Sequence, residues 1–143
     1  MRLDNILTRI RKEDICAEKT DKYILIVEDE ELVGEMIKEA LISVGYNPLL
    51  VRTGKEAIEL FRQHRGNIEA TILDYELPDI TGEQVYRAMR ETDDVPTLMI
   101  SGHSSERVQS CIDLGALGFL SKPYSTKELS QRIGEMIASR KKN

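Results

Sequence analysis

Acidic side chains stand at the ends of two apolar, strand-like runs, and their type and spacing suit phosphate or metal chemistry. Asp74 follows the run Ala70–Leu73, and the acidic stretch Glu28–Glu30 follows the run Tyr23–Val27. A lone carboxylate at a strand end is a common helix cap, but several carboxylates at one sheet edge repel each other and need neutralising. The pattern therefore predicts an acidic site at the edge where open α/β sheets place their sites.

Two further apolar runs are followed by residues of complementary chemistry. Ser101 follows Thr97–Ile100, and Lys122 follows Leu117–Leu120. Mg²⁺ prefers oxygen ligands and commonly binds through one or two carboxylates together with phosphate oxygens. A lysine ammonium can pair with a carboxylate or a phosphoryl oxygen, and a serine hydroxyl can donate a hydrogen bond to the same oxygen. In such a setting Asp74 could attack phosphorus and form an acyl phosphate.

These residues need a scaffold that brings strand ends together, and the chain shows the pattern of one. The strand candidates are Tyr23–Val27, Pro48–Val51, Ala70–Leu73, Thr97–Ile100 and Leu117–Leu120. Apolar residues at helical spacing follow each strand, over Val33–Val44, Ala57–Phe61, Val85–Met89, Val108–Ile112 and Leu129–Ile137. Strict alternation of strand and helix predicts an α/β domain whose parallel sheet carries helices on both faces.

Capping signals mark where the helices begin and end. Three sequences fit a capping box, namely Thr53–Glu56, Thr81–Gln84 and Ser125–Glu128. Gly45 and Gly115 stand where helix C-caps are expected. Asp29 could cap a helix that begins at Glu30, either instead of binding a metal or in addition to it.

Composition excludes several classes of protein. The 143 residues suit one domain with a real core, and no apolar run approaches the roughly 20 residues that span a membrane. Cys16 and Cys111 have neither metal-ligand spacing nor a disulfide framework, which favours a reduced, cytoplasmic setting. A net charge of −5 without a long basic block argues against direct binding of nucleic acid.

Four motifs resemble the receiver domain of two-component response regulators, as found in CheY-like proteins. They are Ile26–Glu30, Leu73–Gly82, Met99–Gly102 and Gly118–Pro123, in this order and on the expected strands. The resemblance implies a doubly wound (βα)5 flavodoxin-like fold with a five-stranded parallel sheet of order 2-1-3-4-5. It assigns residues 22–140 to the receiver domain and leaves residues 1–21 as a linker or helical extension.

The resemblance also implies a role for each residue of the site. Asp74 matches the phosphoacceptor, and Asp29 and Asp74 match the direct ligands of Mg²⁺. Glu28 is expected to reach the metal through water, and the backbone carbonyl of Glu76 is expected to complete the metal shell. Lys122 matches the lysine of the family that contacts the phosphoryl group.

A second group of residues is expected to respond to phosphorylation. Ser101 matches the switch hydroxyl and Phe119 the switch aromatic residue, which here lacks the hydroxyl of the commoner tyrosine. Glu76 and His103 flank the site and are expected to tune the lifetime of the phosphoryl group. Lys122-Pro123 resembles the cis peptide bond of the family.

The function implied is that of a phosphoacceptor signalling domain, which catalyses only its own phosphorylation and dephosphorylation. A histidine kinase or phosphotransfer protein is the expected phosphodonor. The fourth helix, the fifth strand and the fifth helix are expected to form the surface that binds a downstream protein, in a monomer or weak dimer. No contact with nucleic acid or a membrane is expected.

Two other functions stay open at this point. One is a receiver-like interaction domain that is not phosphorylated. The other is a phosphatase with an aspartate nucleophile and Mg²⁺, although such an enzyme would want a second aspartate where Glu76 stands. The absence of an output pattern after the fifth helix predicts either a single-domain regulator or the receiver of a hybrid histidine kinase or larger regulator.

Overall fold

Strands and helices alternate throughout the computed structural model, which describes residues 22–102 and 106–142. The strands are β1 (Tyr23–Val27), β2 (Pro48–Val51), β3 (Ile68–Asp74), β4 (Thr97–Ser101) and β5 (Gly118–Ser121). The helices are α1 (Glu31–Ser43), α2 (Gly54–Gln63), α3 (Gly82–Thr92), α4 (Glu106–Asp113) and α5 (Thr126–Lys142). The predictions made for residues 1–21 and for His103 lie outside the described residues.

The strands form one parallel sheet in the order β2-β1-β3-β4-β5, which confirms the predicted fold class and strand order. Val27 pairs with Leu73 across β1 and β3, and Asp74 pairs with Ile100 across β3 and β4. Because the strands are parallel and in this register, the residues that follow β1, β3, β4 and β5 all meet at one edge of the sheet.

Helices cover both faces of the sheet, and two apolar clusters hold them there. One cluster joins the strands to α2, α3 and α4, through residues such as Phe61, Val85, Tyr86, Met89 and Cys111. The other joins the strands to α1 and α5, through residues such as Ile37, Leu41, Leu129 and Ile133. Burying both faces explains why the strand sequences are nearly continuous apolar runs.

The capping signals place the helix ends largely as predicted. Thr81 and Gln84 form the reciprocal capping box of α3, and the Ser125 hydroxyl accepts a hydrogen bond from the backbone N–H of Glu128. Gly45 and Gly115 adopt φ angles of 95° and 120°, which other residues rarely adopt.

Asp29 is not the cap of α1, so that interpretation was wrong. The cap position is Glu30, whose own side chain makes no capping hydrogen bond. The Glu28 side chain is long enough to fold back, and its Oε2 accepts a hydrogen bond from the Glu30 N–H at 3.0 Å. Asp29 is exposed at the strand end, and one of its carboxylate oxygens lies within 4.8 Å of oxygens of Glu28 and Asp74.

The apolar stripe of α1 is wider than the surface that the sheet covers. Ile37 and Leu41 are buried as predicted, whereas Met36 and Val44 are 56% and 54% exposed. In the fifth strand the limits shift by one residue from Leu117–Leu120 to Gly118–Ser121. Among the helices that the structure describes, none combines the length and the apolar character that crossing a membrane requires.

Candidate functional site

Three carboxylates meet where β1 and β3 end side by side. Oxygen atoms of Glu28, Asp29 and Asp74 all lie within 4.8 Å of one another. Glu28 and Asp74 are 2% and 1% exposed, whereas Asp29 faces solvent. Carboxylates at this spacing repel each other when all are ionised, and burial strengthens the repulsion because little water screens it.

Asp74 is fixed in place by hydrogen bonds to both of its carboxylate oxygens. The backbone N–H of Glu76 donates to Oδ1 at 2.9 Å, and the Lys122 ammonium donates to Oδ2 at 2.8 Å. Burial raises the pKa of Asp74 above its ordinary value, although both hydrogen bonds oppose that rise. Burial works against the charge of Lys122, but the bond to Asp74 and the nearby carboxylates raise the pKa of Lys122.

The Glu28 side chain is buried, and only one of its two carboxylate oxygens accepts a hydrogen bond among the described residues. Its Oε1 is buried and has no hydrogen-bond partner in the part of the chain that the structure describes. Burial is the main reason that the pKa of Glu28 rises to about 7, with repulsion from Asp74 adding to it. An orphaned buried oxygen among three carboxylates is a donor set that fits a hard divalent cation such as Mg²⁺.

The opposite side of the site is built from hydrogen-bond donors at the end of β4. The Ser101 hydroxyl is fully buried and donates to Oε2 of Glu76 at 2.8 Å. The backbone N–H of Gly102 donates to Oε1 of the same carboxylate at 3.4 Å. The Glu76 side chain therefore bridges from the loop after Asp74 to the strand that carries the predicted switch hydroxyl.

Phe119 lies one strand away, on the same side of the sheet as Ser101. Met99 pairs with Phe119, and Ser101 pairs with Ser121, so residues of equal parity on β4 and β5 share a face. Phe119 is half-buried and packs against the apolar cluster beneath α2, α3 and α4. Its carbonyl accepts a hydrogen bond from the Arg132 guanidinium of α5 at 3.3 Å.

Two residues of the motif after Asp74 support the site, although the sequence pattern assigned no role to either of them. The Asp79 carboxylate accepts hydrogen bonds from the N–H groups of Gly54 and Lys55, which ties the loop to the start of α2. A side chain at Gly82 would come within 2.7 Å of the Asp74 carbonyl oxygen, so α3 can begin this close to β3 only with glycine there. The Asp-x-x-Gly spacing within a longer polar loop was the available signal.

An apolar depression of about 250 Å³ borders the site on the side of α1, and the sequence pattern did not predict it. Met36, Pro123 and Tyr124 contribute to its lining, and Leu32 on the same helix is 79% exposed. The Tyr124 hydroxyl is buried without a hydrogen-bond partner among the described residues. Burial, with the carboxylate of Glu28 nearby, raises its pKa to about 12.

The structure brings most of the predicted site residues together. Lys122, Ser101 and Glu76 surround the three carboxylates through the contacts described above. The peptide bond between Lys122 and Pro123 is cis, as the resemblance implied. The part assigned to the backbone carbonyl of Glu76 stays a prediction, and so do the switch roles of Ser101 and Phe119.

Comparisons with known proteins point to one family. The family described as response regulator receiver domain matches residues 24–134. Response regulator MprA of Mycolicibacterium vanbaalenii is 35% identical over 117 residues, which cover 80% of this chain and 49% of that protein. The chain spans about half the length of the curated relatives it matches.

Solved structures agree with this match. The non-phosphorylated HemR receiver domain of Leptospira biflexa has a TM-score of 0.73 at 32% identity, covering 81% of this chain and 94% of that one. CheY of Borrelia burgdorferi, in a complex with CheX, BeF3 and Mg²⁺, has a TM-score of 0.73 at 27% identity, covering 78% and 86% of the two chains.

Proposed function

The chain belongs to the family of response regulator receiver domains, and we propose that Asp74 accepts a phosphoryl group in a two-component phosphorelay. The observation that carries the proposal is the environment of Asp74. A buried carboxylate at a strand end is held by Lys122 and lies beside two further carboxylates. This arrangement suits a nucleophile whose added negative charge must be balanced from several sides.

The reaction that we propose is a transfer from a phosphohistidine of a histidine kinase or phosphotransfer protein. An Asp74 oxygen forms a bond to phosphorus while the bond from phosphorus to the imidazole nitrogen breaks. The imidazole keeps the electron pair of that bond and takes up a proton from water. Lys122 already donates to Oδ2 of Asp74 and stays close enough to neutralise the charge that the phosphoryl group brings.

The metal that we assign to this site is Mg²⁺, held by Asp29 and Asp74 directly and by Glu28 through water. When bound, it would supply positive charge to the carboxylates and to the incoming phosphoryl oxygens. The unpartnered Oε1 of Glu28 supports this assignment, because that buried oxygen has no hydrogen-bond partner among the described residues.

The response that we propose begins at Ser101, whose hydroxyl turns to the phosphoryl group. Phe119 then repacks on the same face of the sheet, and the population of the surface formed by α4, β5 and α5 shifts toward a form that binds or releases a protein partner. The lifetime of the phosphoryl group is set in part by Glu76, and His103 is proposed as a second such residue. We assign residues 22–140 to this domain.

A protein phosphodonor must bring its phosphohistidine within bonding distance of Asp74. Lys122, which contacts that carboxylate, lines part of the apolar depression, and Met36 in the same lining and Leu32 on the same helix expose apolar surface. Contiguous apolar patches on a protein surface often mark sites of contact with another protein. We therefore assign the α1 side of the site to contact with the donor.

Phosphorylation by acetyl phosphate tests the proposal directly. The wild-type chain should gain one phosphoryl group by intact mass when Mg²⁺ is present and none when EDTA is present. Asp74→Asn should abolish this gain because the amide is not a nucleophile toward phosphorus. Asp94→Asn is the matched control, since Asp94 is an exposed carboxylate at the other end of the sheet.

The outcomes separate the remaining functions. Stable labelling of the Asp74→Asn variant would refute the assignment of the phosphoacceptor. No labelling of the wild type, together with no Mg²⁺-dependent binding of beryllofluoride, would favour an interaction domain that is not phosphorylated. Turnover of a stable phosphomonoester would favour a phosphatase that acts on external substrates.

A further inference from the structure

The Glu76 carboxylate holds two donors that a phosphoryl group on Asp74 would need. The Ser101 hydroxyl donates to one of its oxygens at 2.8 Å, and the Gly102 N–H donates to the other at 3.4 Å. Both donors belong to the end of β4, which pairs directly with the end of β3 at Asp74. The structure thus places an anion that is fixed by two donors at the strand end beside the one that carries the nucleophile.

The geometry of the loop explains how Glu76 reaches this position. Its backbone N–H donates to Oδ1 of Asp74, which fixes the residue two positions after the nucleophile. Its side chain then spans toward β4, and it is only half-buried, so the carboxylate can leave for water. The two hydrogen bonds from Ser101 and Gly102 therefore order these donors, and the partial exposure of Glu76 allows another anion to displace its carboxylate.

We propose that the Glu76 carboxylate is an internal stand-in for the phosphoryl group and a positioning residue for Ser101 and Gly102. In the unphosphorylated chain it holds both donors in a liganded arrangement, and it must leave them when Asp74 is phosphorylated. This inference rests on the proposed function, because it assumes that a phosphoryl group enters beside Asp74.

The Glu76 carboxylate and a phosphoryl group compete for the donor hydrogens of Ser101 and Gly102. A serine hydroxyl carries one donor hydrogen and a glycine backbone carries one, so neither can serve both the carboxylate and a phosphoryl oxygen fully. A carboxylate that remained in place would also repel the phosphoryl charge in a partly buried site. Glu76 therefore weakens binding of any phosphoryl-like anion while keeping the donors preordered.

Beryllofluoride is the probe for the test, with Mg²⁺ at a fixed saturating concentration. Glu76→Ala removes the competing carboxylate from both donors and should bind beryllofluoride about tenfold more tightly than the wild type, which corresponds to about 1.4 kcal/mol. Glu76→Gln keeps an acceptor oxygen but loses the charge, and it should fall between the two. Glu30→Gln is the control, because it removes an exposed neighbouring charge that lies outside the three-carboxylate cluster. Its affinity should stay within about twofold of the wild type.

The amide signal of Gly102 in nitrogen-15 NMR spectra gives a readout that a purely structural role would not move. In the wild type one anion replaces another at this N–H, so beryllofluoride should shift the signal little. In Glu76→Ala the N–H begins without the carboxylate, and the same addition should shift it further. If the alanine variant does not fold, the shift of the Gly102 signal is compared between the wild type and Glu76→Gln.

Binding of beryllofluoride by the wild type separates the stand-in role of Glu76 from the phosphoacceptor function of Asp74. If the wild type does not bind beryllofluoride with Mg²⁺, the proposed function fails. If the wild type binds beryllofluoride and Glu76→Ala binds it equally or more weakly, Glu76 is not a stand-in for the phosphoryl group. The proposed phosphoacceptor function of Asp74 would be unaffected by that result. An equal gain in Glu30→Gln would also overturn the stand-in, because it would show that negative charge alone sets the affinity.

Discussion

The two halves of the site differ in what they lack. The carboxylate half consists of Glu28, Asp29 and Asp74, and three carboxylates hold more negative charge than the Lys122 ammonium neutralises. The donor half consists of Ser101 and Gly102, and both donors already have an anionic partner in Glu76. One half is therefore short of a cation, while the other is already satisfied by a group from the chain itself.

This difference predicts two kinds of binding event at one site. A cation adds to the carboxylate half and relieves repulsion, so it should stabilise the fold on its own. A phosphoryl group replaces the carboxylate at the donor half, so its net gain is a difference between two similar sets of hydrogen bonds. Perturbations of the carboxylate half should thus have the larger effects.

The pH dependence of stability without metal should show the largest effect. Burial raises the pKa of Glu28 to about 7, well above the value of 4.5 for the free side chain, and it raises the pKa of Asp74 in the same direction. Between pH 4.5 and about pH 7 the folded state binds more protons than the unfolded state, so the free energy of unfolding falls as pH rises. The share of the stability that belongs to Glu28 is fully present below about pH 4.5 and is lost as pH passes through about 7, and a shift of this size corresponds to about 3 kcal/mol.

Urea denaturation at pH values between 5 and 8, in EDTA and in saturating Mg²⁺, measures this dependence. Bound cation should remove most of the slope because it takes the place of the proton. Glu28→Gln is the control and should flatten the slope in EDTA. A wild type whose stability in EDTA rises between pH 5 and 8 would show that the buried carboxylates are not crowded.

The affinity for Mg²⁺ should respond next most strongly, through Glu28→Gln. The amide keeps an oxygen for the Glu30 N–H but removes the charge that attracts the cation through water. Loss of such an outer partner typically weakens metal binding by about 10- to 100-fold. Isothermal titration calorimetry with MgCl₂ measures this, and Glu76→Gln is the matched comparison in the donor half. Equal losses in both variants would contradict a division of the site into two halves.

The fold and the carboxylate half could be predicted from the sequence because both depend on residue type and spacing. Apolar runs that end in acids fix which residues reach the sheet edge, and parallel pairing then brings Asp74 and Glu28 together whatever the loops do. The lysine at the end of β5 follows by the same argument. These inferences need only the strand order and the direction of the strands.

The donor half could not be predicted in the same way. The sequence places Ser101 at the end of its strand, but its bond to Glu76 joins residues 25 positions apart through a flexible side chain. Side-chain rotamers in the loop decide such contacts, and residue type alone does not. The same holds for Asp79, whose link to α2 depends on how the loop folds over the helix.

The smallest effect should come from Ser101→Ala, and it tests whether the two halves are independent. The change removes one hydrogen bond to Glu76, whose half-buried carboxylate can turn to water, so the free energy of unfolding should fall by about 1 kcal/mol. Ser121→Ala is the matched control, because Ser121 is the exposed neighbour of Ser101 on β5. The affinity of Ser101→Ala for Mg²⁺ should stay within about twofold of the wild type, since its hydroxyl lies outside the carboxylate half. A tenfold change in that affinity would mean that the cation senses the donor half before any phosphoryl group arrives.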